Sequence, residues 1–376
     1  MDFNLTDEQK LIQQTAREFA EKNIEPIAFQ IDRENEIPPE IMTGLGKLGI
    51  LGLCYPEACG GSGAGFLAFV LAIEQIAKGS SGVGMTCSVN NLGMSAIFNR
   101  GTEEQKKKWM PACCAGANLA SFAFTEPNTG SDPKMLASAV KKTGGKYILN
   151  GCKRFISLAD HKGPMIVFAA DEEAGNPSAF IVDKFCPGYQ LDESWDKIGN
   201  RGCHAYDVYF KDVELAEDQL LGKRGEGFNI LLENIAYGKM GMSAEALGHA
   251  QEALDLSIKY AKEKTNRDKP ISRFESMQMR IASMAIKVEA MRWMAYRLGF
   301  LADQKSRRFA VEAAMTKEYM AEALVDVARE AVQAHGSYGV MRDFKVEMIY
   351  RDSIICEIVE GTKDLQRRIA AGYLLR

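Results

Sequence analysis

The chain has 376 residues, enough for two or three domains and for a large core without disulfides or a structural metal. Hydrophobic residues make up 46% and charged residues 26%, a globular balance that excludes a disordered chain. With 46 basic against 50 acidic residues the net charge is −4, and no basic tail or stripe offers a footing for nucleic acid.

The N-terminus, Met1-Asp2-Phe3-Asn4, lacks the basic segment of a secretory signal, so no targeting segment is read and a bacterial-type cytoplasmic location is expected. Residues 1–118 read as helical. Thr6-Asp7-Glu8-Gln9 is a capping box, followed by Leu11, Ile12, Phe19 and Ala20 at helical spacing. Pro38-Pro39 opens a further helix, and residues 66–78 form one so apolar that it must be buried. Thr102-Glu103-Glu104-Gln105 repeats the capping box ahead of Trp109. The uncharged stretches 58–73 and 79–99 are broken by glycine or rich in Ser and Asn, so neither reads as a membrane span. The nine cysteines include no CxxC and one adjacent pair, Cys113-Cys114, a pattern of a reducing interior rather than of disulfides or zinc.

Residues 119–224 change character. Short β-type runs at 121–124, 146–149, 165–169, 179–182 and 205–210 are separated by Asn-Thr-Gly, Thr-Gly-Gly, Gly-Asn-Pro and Pro-Gly turns. Strands do not alternate with helices, which argues against a Rossmann domain. Residues 225–376 are helical again. Phe274, Met277, Ile281, Met284, Val288, Met291, Ala295 and Leu298 form a heptad seam behind a capping box at Ser272-Arg273-Phe274-Glu275, as in a helical bundle.

Four segments carry candidate chemistry. Phe124-Thr125-Glu126-Pro127-Asn128-Thr129-Gly130-Ser131-Asp132 follows a strand with hydroxyls and backbone N–H groups suited to a flavin edge or a phosphate, though on its own it reads first as an Asn/Gly/Ser turn. In Leu149-Asn150-Gly151-Cys152-Lys153-Arg154-Phe155-Ile156-Ser157 an aromatic and a hydroxyl two residues apart share one side of a strand. Gln333-Ala334-His335-Gly336-Ser337-Tyr338-Gly339 ends a helix with glycines that permit close approach, or simply cap it. Tyr350-Arg351-Asp352 is followed by Ile358-Val359-Glu360-Gly361-Thr362, where an apolar neighbourhood would raise the pKa of Glu360 and make it a base for a weakly acidic C–H; a helix-terminal cap is the plain alternative.

In this order, the four segments resemble the acyl-CoA dehydrogenase family over essentially the whole chain. The resemblance implies an α+β fold: an N-terminal α-helical domain (1–118), a middle β-barrel or sandwich domain (119–224) and a C-terminal four-helix bundle (225–376). It implies FAD as cofactor, an acyl-CoA substrate, an electron-transferring flavoprotein as partner, and a homotetramer built as a dimer of dimers, with neither nucleic acid nor membrane involved. By match to the family's motifs, Phe122, Phe124, Thr125, Gly130 and Ser131 line the flavin, with Ser131 also near the acyl-CoA. Phe155, Ile156 and Ser157 stand beside the ring; Lys264, Asn266, Gln333, Gly336 and Ser337 take the nucleotide end of a neighbouring subunit's FAD; Thr362 and Asp364 contact FAD again. Tyr237, Lys239 and Gly361 fall at substrate-binding positions, and Glu360 matches the catalytic base that removes the α-proton while hydride passes to flavin N5. His335, His204 and Glu357 are the other candidate bases.

Departures from the family pattern are visible. Phe155 and Ser157 replace a usual Trp and Thr, Ala236 and Lys239 replace an Asp and an Arg, and Ser337 replaces a glycine. At Lys264-Thr265-Asn266-Arg267-Asp268 the usual Phe and Gly are Arg267 and Asp268, which would alter the grip on the pyrophosphate. Residues 80–92 hold no Arg or Lys to pair with a distal carboxylate, which argues against a dicarboxylyl substrate. The same fold could run in reverse as an enoyl-CoA reductase, serve a desulfinating or decarboxylating reaction, or act as a non-catalytic scaffold.

Overall fold

The computed structural model describes residues 4–130 and 136–375. Six helices come first: α1 (Asp7–Phe19), α2 (Ala28–Glu34), α3 (Pro39–Lys47), α4 (Phe66–Gly79), α5 (Ser81–Arg100) and α6 (Glu103–Cys114). Both expected capping boxes form: Thr6 and Gln9 exchange hydrogen bonds at the start of α1, as do Thr102 and Gln105 before α6. Helix α4 is buried almost all round because α1, α5 and two C-terminal helices enclose it.

The middle segment holds β1 (Ser121–Ala123), β2 (Ala139–Thr143), β3 (Lys146–Ser157), β4 (Pro164–Asp171), β5 (Ser178–Asp183), β6 (Tyr189–Leu191), β7 (Ala205–Leu215) and β8 (Leu220–Leu221). They form one sheet in the order β6-β7-β3-β2-β4-β5-β8, with β1 beside β4. Most pairs are antiparallel, but β4 runs parallel to β1 and β2. Alternate residues of β4 serve two cores. Met165, Val167 and Ala169 join Val140, Leu149, Ile156 and Phe180 inside the β domain, whereas Ile166 and Phe168 face Met94, Ile97 and Ile230 of the helices. Coverage on both faces explains the unbroken apolar run of β4.

The C-terminal part opens with α7 (Gly227–Glu263), passes a small hairpin of β9 (Thr265–Asn266) and β10 (Lys269–Pro270), and continues through α8 (Glu275–Asp303), α9 (Phe309–His335), α10 (Lys345–Ile358) and α11 (Lys363–Leu374). Helices α7, α8, α9 and α10 pack on one another as a bundle, and α4 and α5 extend the same core on the other side of α7. The three-domain order read from the sequence is the one observed.

Three local expectations need correction. Ser272 does not cap α8: residues Ile271–Arg273 form a 3-10 turn, and the N-cap is Phe274, which supplies no side-chain hydrogen bond. The heptad seam nonetheless holds, with Met284, Val288, Met291, Ala295 and Leu298 all buried. Strand β3 does not carry Phe155 and Ser157 in plain alternation, because its pairing with β7 slips between Lys153 and Ile156 and Phe155 adopts a left-handed φ of 59°. The β-run reading also missed β2, β6 and β8, whose short or charged sequences carry little strand signal.

Candidate active site

Glu360 lies in the short connection between α10 and α11. Val359 ends α10 in extended geometry, then Glu360 (φ 56°) and Gly361 (φ 91°) turn the chain through left-handed conformations into Thr362, the N-cap residue of α11. Gly361 suits such a turn; Glu360 bears its steric cost, a strain of the kind that gathers at functional sites. The side chain of Gln366 anchors the turn by donating to the carbonyls of Glu360 and Gly361, both at 3.0 Å. Lys317 of α9 donates to the same Gly361 carbonyl at 2.7 Å. Among the described residues the Glu360 N–H meets no acceptor, so it is available to a ligand oxygen.

The Glu360 carboxyl rests on the backbone of α7. A Cβ placed on Gly238 would lie 2.6 Å from its Oε2 and 3.0 Å from its Oε1, so only glycine permits this approach. Burial raises the carboxyl to a pKa of about 7, against the opposing pull of Lys239 and then Lys317. Lys239 is buried, and desolvation lowers its ammonium to about 8. Lys317 is lowered by burial as well. A carboxylate poised near neutrality, flanked by two buried lysines and backed by bare helix backbone, is equipped to accept a proton from carbon.

A second group lies on the β domain. The loop after β1 is held by a buried ion pair: Lys153 Nζ stands 2.7 Å from Glu126 Oε1 and donates to the Phe124 carbonyl at 3.2 Å. Glu126 also accepts from the N–H groups of Ala137 at 2.6 Å and Ser138 at 3.0 Å. Burial alone would raise the Glu126 carboxyl, but Lys153 and these donors hold it below its ordinary value. Thr125 joins the loop to β3 by accepting from Arg154 N at 2.8 Å. Phe122 and Phe124 pack on Phe168, and Gly130 closes the described part of the loop on open space. Ser131 lies outside the described residues. The bulge in β3 turns Phe155 outward with 55% of its surface open, beside Trp195 at a ring separation of 5.3 Å, while Ile156 points into the core. Ser157 is half-buried next to Leu158, itself left-handed at φ 60°.

The third group sits at the far end of α7 and α9. Lys264 lies over the Tyr338 ring at 5.3 Å, and Asn266, Gln333, Gly336 and Ser337 are exposed around it. Gly336 has φ 59° and open space where a Cβ would stand. Arg267 (φ 49°) and Asp268 (φ 60°) form the tight turn of the β9–β10 hairpin. Thr362 and Asp364 are exposed at the start of α11. Tyr237 packs between Phe66 and Phe309 at 5.0 and 4.9 Å. The two candidate histidines are committed elsewhere. His335 bonds the Ala331 carbonyl and stacks on Tyr260, and His204 joins Asp160 to the Asn35 carbonyl.

Sequence reasoning missed Glu126, Lys153, Lys317, Gln366 and Trp195. Lys317 had a signal: at helical spacing on α9 its neighbours are Ala313, Ala314, Met320 and Ala321, a buried apolar face. The Glu126–Lys153 pairing joins residues far apart in the chain and had none.

The donors and surfaces fit a flavin. A half-open aromatic wall, the hydroxyls of Thr125 and Ser157 and the backbone of a pinned loop lie on one domain, and an open glycine cradle lies at Gly336. Among the described residues no cluster of ligating side chains suits a metal ion, and no helix is long and apolar enough to cross a membrane.

This fold and site define an acyl-CoA dehydrogenase-type flavoprotein. Sequence models of the acyl-CoA dehydrogenase N-terminal, middle and C-terminal domains match residues 6–117, 121–213 and 225–375. The chain is 37% identical to an acyl-CoA dehydrogenase of Bacillus subtilis (strain 168) over 99% of both proteins. It is 37% identical to an acryloyl-CoA reductase (NADH) of Anaerotignum propionicum, covering 100% of this chain and 96% of that one. The solved structure of butyryl-CoA dehydrogenase from Megasphaera elsdenii superposes with a TM-score of 0.97 at 33% identity, with both chains fully covered. The chain belongs to the acyl-CoA dehydrogenase family, FAD-dependent oxidoreductases that act on acyl-CoA thioesters.

Proposed function

We propose that the chain carries out α,β-dehydrogenation of an acyl-CoA thioester with Glu360 as the base. The observation that carries this reading is the Glu360 carboxyl seated on Gly238 in a site that keeps it near neutral pKa. A thioester α-proton is too weakly acidic for an unaided carboxylate. The Glu360 N–H, bonded to no acceptor among the described residues, supplies one donor to the thioester oxygen and stabilises the developing enolate. The Glu360 carboxylate then takes the α-proton. When bound, FAD supplies the acceptor for the β-hydride. Thr125 and Ser157 contribute hydroxyls along the ring edge, Phe155 and Trp195 shield one face from water, and the Glu126–Lys153 pair fixes the loop between them. Tyr237, Lys239 and Gly361 border the substrate side. Lys264, Asn266, Gln333, Gly336, Ser337, Thr362 and Asp364 hold the nucleotide end, part of it across a subunit boundary.

A homotetramer built as a dimer of dimers fits the outer face of α8, where Met279, Ile286, Trp293 and Phe300 recur every seventh residue and Ile286 is 72% exposed. An electron-transferring flavoprotein is the proposed oxidant of the reduced enzyme. The reverse reaction, reduction of an enoyl-CoA, is a second reading favoured by the acryloyl-CoA reductase relative. Protonated Glu360 would then deliver the α-proton. A scaffold role has no counterpart in a site that keeps its base, its free N–H and its pinned loop.

Anaerobic titration of the purified protein with butyryl-CoA and crotonyl-CoA tests the reading. Bleaching of the flavin band by the saturated thioester, and reoxidation of chemically reduced enzyme by the unsaturated one, are expected. A protein that holds no flavin, or whose flavin ignores both thioesters, would overturn it.

A further inference from the structure

Lys239 stands apart from the other buried lysines. Lys153 is paired with Glu126, and Lys184 donates to the Leu119 and Leu158 carbonyls at 2.7 Å each and to Ser121 Oγ at 3.0 Å. Lys317 donates to Gly361 O at 2.7 Å and to Glu357 O at 3.4 Å. Lys239 is 3% exposed, yet among the described residues its ammonium has neither a hydrogen-bond acceptor nor an ion-pair partner. It follows Gly238, the residue on which the Glu360 carboxyl rests. The Lys239 Nζ is not among the sealed side-chain atoms that lack a partner, so it keeps some access to solvent, and the opposite charge acting on it is the Glu360 carboxylate of the 359–362 turn.

We propose that Lys239 is a positioning residue for the Glu360 base: while charged, it holds the carboxylate ionised and drawn toward α7, and on losing its proton it leaves that carboxylate a stronger base. The proposal rests on Glu360 being the base. Lysine is the residue that permits it, because a guanidinium keeps its proton throughout the working range. The other charged and titratable groups around this pair are already engaged. Lys317 of α9 has its two carbonyls, Glu357 of α10 is paired with Lys363 of α11 at 2.6 Å, and the Cys356 thiol of α10 is pushed up to about 12 by burial. Helix α5 meets α7 at Ser88, which bears no charge, and at Ser81, which donates at 2.7 Å to the buried Glu245 of α7, a carboxyl that burial likewise raises to about 7, while Glu74 of α4 is bound to Arg292 of α8 further along. Lys239, unlike Lys317, can lose its proton without breaking a hydrogen bond to a described residue. Its equilibrium, Lys–NH3⁺ to Lys–NH2 plus a proton, lies at about 8, just above that of Glu360 at about 7.

The test uses the FAD-loaded wild type and the variants Lys239→Arg, Lys239→Met and Glu360→Gln. Two readouts are taken against pH: the infrared carboxyl band that Glu360→Gln removes, and the first-order rate of flavin reduction at saturating butyryl-CoA. In the wild type the carboxyl should titrate near 7, with the rate rising through that range and rising again, less steeply, near 8. Lys239→Arg should keep the first rise and lose the second. Lys239→Met should move the carboxyl midpoint up by about 1 unit and also lack the second rise. If Lys239→Met does not fold, the comparison of wild type with Lys239→Arg decides alone. Carboxyl titrations and rate profiles that superimpose in wild type and variants overturn the proposal, as does a lower FAD content with an unmoved midpoint. Wild-type flavin reduction in Glu360→Gln would instead sink the assignment of the base.

Discussion

The Glu360 carboxyl lies directly on the Cα of Gly238, with Oε2 2.6 Å from where a Cβ would stand. The contact decides which way the carboxylate faces, since the left-handed turn at Glu360 would otherwise leave its direction to a flexible side chain. A helix gains stability when an interior glycine becomes alanine, so conformational preference alone favours the substitution here.

Gly238→Ala should therefore fold with α7 intact while displacing the base. Relocating a reacting group by about 1 Å costs on the order of 10²-fold in rate. Stopped-flow flavin reduction should fall by about that factor, with the FAD content unchanged. Wild-type reduction in this variant would show that the carboxyl reaches substrate from another position.

The Glu126–Lys153 pair predicts a stability effect that also reaches the flavin loop. Lys153→Met leaves Glu126 buried without its cation and should cost about 3–5 kcal/mol in urea unfolding. The double variant Glu126→Gln with Lys153→Met should recover most of the loss, because no bare charge then remains. Glu126 has a lowered native pKa, so its contribution is present above the unfolded carboxylate pKa and is lost as pH falls toward the native value. The penalty of Lys153→Met should accordingly shrink in acid. A single variant no less stable than the double would contradict this account.

The β9–β10 turn predicts separable effects on folding and on cofactor retention. Asp268 adopts φ 60° and Arg267 φ 49°, a geometry that glycine holds at lower cost. Asp268→Gly should stabilise the chain by about 1 kcal/mol or less. Joined with Arg267→Phe, it removes a carboxylate beside the expected pyrophosphate and should slow FAD loss during dialysis. Faster loss in the double variant would identify Arg267 as a phosphate ligand. The same boundary implies that splitting the oligomer, for example with Ile286→Asp on the exposed face of α8, releases FAD.

How much of this was legible depended on whether a feature was local. The capping boxes at Thr6 and Thr102 and the α8 seam from Met284 to Leu298 lie within a few turns of chain, and they fold as read. Ser272-Arg273-Phe274-Glu275 has the same capping pattern yet forms a 3-10 turn, because the preceding hairpin delivers the chain to α8 at Phe274. The motif residues of the candidate site were all visible as residue types in sequence. What makes Glu360 reactive was not. Gly238, Lys239 and Lys317 lie on α7 and α9, between 43 and 122 positions away in the numbering, and only the packing of those helices brings them to the turn. The bulge at Phe155 is set by the register of β7 and is equally non-local.

Glu360→Gln gives the most direct test of the chemistry. The substitution keeps the size of the side chain, and an amide can still rest on Gly238, but it cannot accept a proton from carbon. FAD and acyl-CoA binding should persist, while flavin reduction by butyryl-CoA should fall by at least about 10²–10⁴-fold. Stability should move the opposite way. The native carboxyl titrates near 7, well above an ordinary carboxylate, so the native state binds more protons than the unfolded chain between those values. The wild type therefore loses stability as pH rises from the ordinary carboxylate range to about 7, and holds that loss above it. Glu360→Gln lacks this titration and should be more stable than the wild type at pH 8, with the difference vanishing in acid. Denaturant unfolding at the two pH values measures it. A variant that is both slow in flavin reduction and less stable at pH 8 would mean that the carboxylate serves the fold, and the base would have to be sought at Glu357, whose carboxylate is paired with Lys363.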